Sequence, residues 1–138
     1  MLAPKPWLEK MYKIAALSLL LLSSVSNAQC WVVSNLKGQS QFSPEYKPQQ
    51  DEAVGTYHLY IDGNTARLTS VGGTYESGLT YSPVSATAMV GVSNGQSSAF
   101  IETWAITPDG KVLYTKTRAR SSYWNQLSSF IGDVIGKC

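Results

Sequence analysis

His58 is the only histidine in the chain. It stands in Tyr57-His58-Leu59-Tyr60-Ile61, an alternating run of strand-forming residues. A histidine base serving a serine nucleophile needs partners from elsewhere in the chain. The Gly-x-Ser-x-Gly turn that carries such a serine in many hydrolases is missing. A half-exposed strand histidine is the plainer reading of His58, and hydrolysis the less favoured one. Metal binding requires several His, Cys or carboxylate donors converging, and one histidine with two cysteines falls short of that. No phosphate-cradling glycine loop is visible, and no Asp or Glu pair stands in a context that points to glycoside hydrolysis. The sequence therefore reads as a non-enzyme that uses no metal or cofactor.

A second group is basic and aromatic. Lys116, Arg118 and Arg120 alternate along one segment, so they project from one side of a strand, with Tyr114 on the same side. Such a row suits an anion, a glycan or an acidic protein surface. The plainer alternative is a solvated strand face with Glu102 as cross-strand partner. Tyrosines recur at 57, 60, 75, 81, 114 and 123; they fit binding surfaces and strands equally well.

A third group is Ser77-Gly78-Leu79-Thr80-Tyr81, a Ser-Gly-x-x-Tyr motif shortly after Ala66-Arg67-Leu68. Over residues 66–81 the chain resembles the motif region of bacterial periplasmic inhibitors of c-type lysozyme. The resemblance implies a compact antiparallel barrel presenting a loop to the lysozyme cleft, with Ser77 and Tyr81 as inhibitory contacts and Gly78 letting the loop approach closely. The aromatic-Lys-Gly segment expected downstream is replaced by Ser82-Pro83-Val84-Ser85-Ala86-Thr87. Without the resemblance, Ser77 and Tyr81 are ordinary turn and strand residues.

The elements that must hold these groups are mostly strands. Cys30 to Leu36 reads as a first strand, and the polar stretch Lys37 to Glu52, with Pro44 and Pro48, as a loop. Asp62-Gly63 predicts a tight hairpin turn that pairs Leu59 with Ala66 and Tyr57 with Leu68. Thr107-Pro108-Asp109-Gly110 predicts a second hairpin. Its register pairs Ile106 with Val112, Trp104 with Tyr114, Glu102 with Lys116 and Phe100 with Arg118. Ser121-Ser122 then caps a helix over 121–136, whose stripe of Trp124, Leu127, Phe130, Ile131, Val134 and Ile135 lies on the sheet.

The N-terminal 28 residues read as a cleavable secretory leader. Lys13 precedes nine residues, Ile14 to Leu22, that are apolar apart from Ser18, and Ser26-Asn27-Ala28 offers small residues for cleavage before Gln29. That apolar core is half the roughly 20 residues a membrane span needs. Met11 makes a more compact start than Met1. Gln29 before Cys30 argues against a lipid anchor, so no stable membrane anchor is expected after processing. The leader holds Lys5, Lys10, Lys13 and Glu9, so residues 29–138 keep 8 of the 11 cations and 8 of the 9 anions. They are neutral overall, which removes any broad attraction to nucleic acid. Cys30 and Cys138 are expected to form one disulfide in an oxidising compartment.

The expectation is thus an α+β domain over 29–138: a curved or barrel-like antiparallel sheet of about six to seven strands with a C-terminal helix. It would be a periplasmic or secreted binding protein whose partner is another protein or a cell-envelope component.

Overall fold

A computed structural model describes residues 28–72, 78–93, 98–120 and 124–138. They form nine strands: β1 (Gln29–Phe42), β2 (Gln49–Ala53), β3 (Tyr57–Asp62), β4 (Thr65–Ser70), β5 (Thr80–Ser85), β6 (Ala88–Val92), β7 (Ser98–Ile106), β8 (Lys111–Arg120) and β9 (Gln126–Lys137). All pairs are antiparallel, in the order β4-β3-β1-β9-β8-β7-β6-β5. β2 pairs with the second half of β1, beyond the part that pairs with β3. The outermost strands, β4 and β5, lie alongside each other, so the sheet curls into a nearly closed barrel.

No helix occurs among the described residues. The fold is all-β, which corrects both the α+β expectation and the helix over 121–136. Residues 126–137 instead form β9, hydrogen-bonded to β1 on one side and β8 on the other. The apolar stripe that mimics helical spacing is divided between two faces. Phe130 and Val134 point inward with Ser128 and Gly132, while Leu127, Ile131 and Ile135 point outward. β-branched residues and two glycines weaken a helix here, and the strand satisfies backbone groups on both edges. Gly132 also lets β1 approach, since a Cβ there would meet Leu36 Cδ2 and the Ser34 carbonyl at 2.7 Å. Trp124 packs against Phe42, ring centroids 5.3 Å apart. The expected cap, Ser121-Ser122, lies outside the described residues.

Two further expectations shift. Lys37 to Phe42 continues β1 and Gln49–Ala53 forms β2, so only residues 43–48 of the expected loop turn the chain. The β3–β4 hairpin pairs Asp62 with Thr65, Leu59 with Leu68 and Tyr57 with Ser70, two residues from the expected register. The loop is Gly63-Asn64, with φ +53° at Gly63. A glycine in the first central position with positive φ is the type II′ arrangement, which matches strand twist. The β7–β8 hairpin has every expected pair, from Phe100–Arg118 to Ile106–Val112. Its turn is closed by the Thr107 N–H donating to the Lys111 carbonyl at 2.9 Å, with Gly110 at φ +80°.

The barrel has two unlike ends. One, the hairpin end, holds the tight turns at 63–64, 86–87 and 107–110, the start of β1 and the end of β9. Cys30 and Cys138 are disulfide-bonded there, their Cα atoms 5.2 Å apart, and the Cys138 N–H donates to the Cys30 carbonyl. Closing a loop of about 100 residues stabilises the fold by roughly 4–5 kcal/mol in the chain-entropy picture. The bond points to an oxidising, extracytoplasmic compartment. The core of Trp31, Val33, Leu59, Ile61, Met89, Trp104 and Val112 packs toward this end. From the opposite, loop end leave the connections β1–β2, β4–β5, β6–β7 and β8–β9.

Candidate functional site

Side chains alternate across each strand, and three neighbouring strands change character at the same height inside the barrel. Counting from the hairpin end, β8 turns inward Val112, Tyr114, Lys116 and Arg118. β7 turns in Ile106, Trp104, Glu102 and Phe100, and β9 turns in Val134, Gly132, Phe130, Ser128 and Gln126. Register places these series side by side. Half of the lumen is therefore hydrocarbon and half is polar.

Glu102 sits at the boundary, 2% exposed. Its Oε2 accepts from the Tyr81 hydroxyl at 2.7 Å and from Trp104 Nε1 at 3.1 Å, and its Oε1 accepts from the Tyr114 hydroxyl at 2.9 Å. Three donors from three strands meet one acceptor group, which is how a buried carboxyl avoids an uncompensated desolvation cost. The Tyr114 ring is sandwiched between Trp104 (3.9 Å between centroids) and Phe130 (5.5 Å). Gly91 leaves room for Tyr81: a Cβ there would lie 2.4 Å from the Tyr81 ring.

A second network runs across β9, β1 and β2. Ser40 donates to Asp51 Oδ2 at 2.6 Å, so the Ser40–Ser128 bond of 2.5 Å takes its proton from Ser128. Gln126 Nε2 in turn donates to Ser128 at 2.8 Å. The chain of donation is Gln126 to Ser128 to Ser40 to Asp51, with both serines 1% exposed.

Lys116 and Arg118 stand between the networks and share one ring. Lys116 Nζ lies 5.2 Å and the Arg118 guanidinium 4.7 Å from the Phe100 centroid. Neither forms an ion pair with a described carboxylate. Among the described residues Arg118 Nε is buried with no hydrogen-bond partner. Burial, and after it the neighbouring Arg118 charge, pull the Lys116 ammonium below its ordinary pKa, against the opposite pull of Glu102 and Asp51.

The residues expected from sequence are scattered over this frame. Tyr114, Lys116 and Arg118 do share a side, but it is the barrel interior, and the Glu102 that pairs with Lys116 in register spends its oxygens elsewhere. Arg120 is exposed at the loop end, and its N–H donates to Asn125 Oδ1. Gly78 is exposed with φ +71°, Tyr81 points inward, and Ser77 lies outside the described residues. His58 pairs with Val32 and Thr69 and meets Tyr60 edge-on at 6.4 Å. Among the described residues no three His, Cys, Asp or Glu side chains group to hold a metal. Asp51, Ser40 and Ser128 escaped the sequence reading, which placed Glu102 opposite Lys116 without its buried partners. The signal that bore on Glu102 was the β7 alternation, which sets it on the Trp104 face.

The outside of the same strands mixes threonines and a serine with exposed aliphatic side chains. Ile101 and Leu113 are each 41% exposed, Leu127 51% and Ile131 58%. Leu113 and Ile131 are direct cross-strand neighbours, and Thr117 links Ile101 to Leu127. A groove of about 610 Å³ runs beside Leu113 and Ile131, lined also by Thr115, Lys37, Gln39 and Gln50 among others. No protein-family model matches the chain, and no curated protein or solved structure matches it.

Proposed function

We propose that this protein is an exported, non-catalytic binding module that meets another protein or a cell-envelope component through the outer face of β7, β8 and β9. The observation that carries the reading is the exposed pair Leu113 and Ile131 beside a groove, with Ile101 and Leu127 exposed on the same face beyond the Thr103–Thr115–Ser129 row. Exposed aliphatic surface gathered on one face costs solubility and marks interaction sites. The threonines and glutamines among these side chains supply the polar contacts such an interface needs. Glu102, the most buried carboxyl among the described residues, has both oxygens occupied by aromatic donors, which suits a scaffold better than acid–base work. Inhibition of lysozyme through Tyr81 would require that hydroxyl to leave Glu102, so the strand face is the reading preferred here. Export would use the leader ending at Ala28, with the mature chain beginning at Gln29 and remaining free of a lipid anchor.

A photo-crosslinking residue at Leu127, in cells exporting the protein, tests the surface. A discrete adduct that disappears with Leu113→Asp or Ile131→Asp supports it. Adducts equally strong in those variants, or none at Leu127, count against it. Intact mass of the exported product checks processing: a chain beginning at Gln29 is expected.

A further inference from the structure

The geometry points to a second site: the loop-end lumen binds an oxyanion group, a carboxylate or a phosphate, between Lys116 and Arg118. Unspent donors, rather than net charge, mark the site. Two cations and two carboxyls, Glu102 and Asp51, share this part of the barrel. The carboxyls have found neutral partners: Glu102 takes two phenols and an indole, and Asp51 takes Ser40, with its other oxygen accepting the Glu52 N–H at 2.8 Å. The cations have not. Among the described residues Lys116 and Arg118 make no ion pair, and Arg118 Nε is buried with its proton unspent. A buried N–H without an acceptor destabilises the fold, and such orphans are rare enough to ask for a reason.

The two groups are also held for joint use. They are at positions i and i+2 of β8 and project to the same side. Phe100, directly across from Arg118, carries both on its ring. Cation–π contact fixes the stems and leaves in-plane N–H groups free. The Nε edge of a guanidinium with its neighbouring amino group is a fork matched to two oxygens of a carboxylate or phosphate, and an ammonium beside it adds a point charge. Both side chains are half-buried, so contacts to an oxyanion there stay partly shielded from water. Phe100 is a positioning residue. The site faces the lumen, opposite the strand face proposed above, so the two readings stand or fall separately.

The experiment follows the Arg118 Nε–H resonance in the nitrogen-15 spectrum of the disulfide-bonded protein during titration with acetate and, separately, inorganic phosphate. Chloride at equal ionic strength is the control. A saturable downfield shift at Arg118, absent with chloride, is expected, and the stronger of the two probes tells carboxylate from phosphate. Lys116→Gln should weaken it at least about tenfold, the loss of one charge-assisted contact. Lys116→Met, which keeps the stem over Phe100, guards against misfolding and should weaken it equally, with the Glu102 network resonances unmoved. Ile131→Asp should leave it unchanged. A shift that never saturates, that appears equally at exposed Lys137 and Arg67, or that survives both Lys116 variants overturns the site.

Discussion

The hairpin end and the loop end of this barrel are made from the same strands, yet different forces hold them. At the hairpin end, two-residue and type I turns, a disulfide and a packed hydrocarbon core agree with one another. At the loop end the same strands turn in Phe100, Lys116, Arg118, Ser128 and Gln126, joined by hydrogen bonds and cation–π contacts. Hydrocarbon packing is indifferent to direction, so the first end depends on shape. Hydrogen bonds are directional, and they can leave a donor without an acceptor, as at Arg118 among the described residues. One end is built for stability, and the other keeps groups whose presence costs stability.

The largest test of this contrast is removal of the disulfide. Cys30→Ser with Cys138→Ser should lower unfolding free energy by about 4 kcal/mol, measured by urea denaturation. If the hairpin end carries the stability, exchange protection in β1 and β9 falls furthest near residues 30 and 138. Next comes Glu102→Gln, at the boundary. Replacing one oxygen by an amide NH₂ sets donor against donor at Tyr81, Trp104 or Tyr114, and a loss of about 2 kcal/mol is expected. An unchanged denaturation midpoint would mean that the network adds nothing to the fold.

Lys116→Met should behave oppositely. Because burial lowers the folded-state pKa of Lys116, the unfolded chain holds that proton more readily between the folded and unfolded values, and stability rises with pH across that window. Removing the charge should leave the midpoint unchanged or raise it at neutral pH, and flatten that rise. A clear loss of stability would show the ammonium to be structural.

The smallest effect belongs to Lys111 and Asp133, bonded at 2.6 Å at the exposed hairpin-end rim. Its hydrogen bond to Lys111 holds Asp133 below the usual carboxylate range, and the bond to Asp133 raises Lys111. The Asp133 contribution is present above its unfolded value and lost as pH falls through the depressed folded one. The Lys111 contribution is present below its unfolded value and lost as pH rises through the raised one. Asp133→Asn should remove both slight slopes from a plot of thermal midpoint against pH, and nothing more, because exposed pairs are screened.

The same division governs what could be read from sequence. The β7–β8 hairpin was legible in every pair because Thr107 to Gly110 allows one turn and both flanks alternate. The β3–β4 hairpin was legible as a hairpin with its faces correct, but Asp62-Gly63 hid the true loop, since a type II′ turn needs its glycine first. Lys37 to Phe42 was missed because it is polar on both faces: one side meets Asp51 and Ser128 rather than hydrocarbon. β9 was mistaken for a helix because its inward row alternates apolar residues with Ser128 and Gly132, which leaves a spurious period near 3.6. Glu102 was placed opposite Lys116 correctly, but its partners Tyr81 and Tyr114 come from other strands of the closed sheet, and no local pattern announces them. Shape-determined parts are written in nearby residues, whereas polar parts are written in the closure of the barrel.

The bond between residues 30 and 138 has a mechanical consequence. A pull applied before Cys30 and at Cys138 runs through one covalent link and bypasses the strands between them. Under oxidising conditions the barrel is then inextensible along that line, whatever the strength of its hydrogen bonds. Reduction would turn the same two attachment points into grips on β1 and β9, which lie antiparallel at the sheet's centre. Force would then peel that pair open from the hairpin end, one ladder bond at a time.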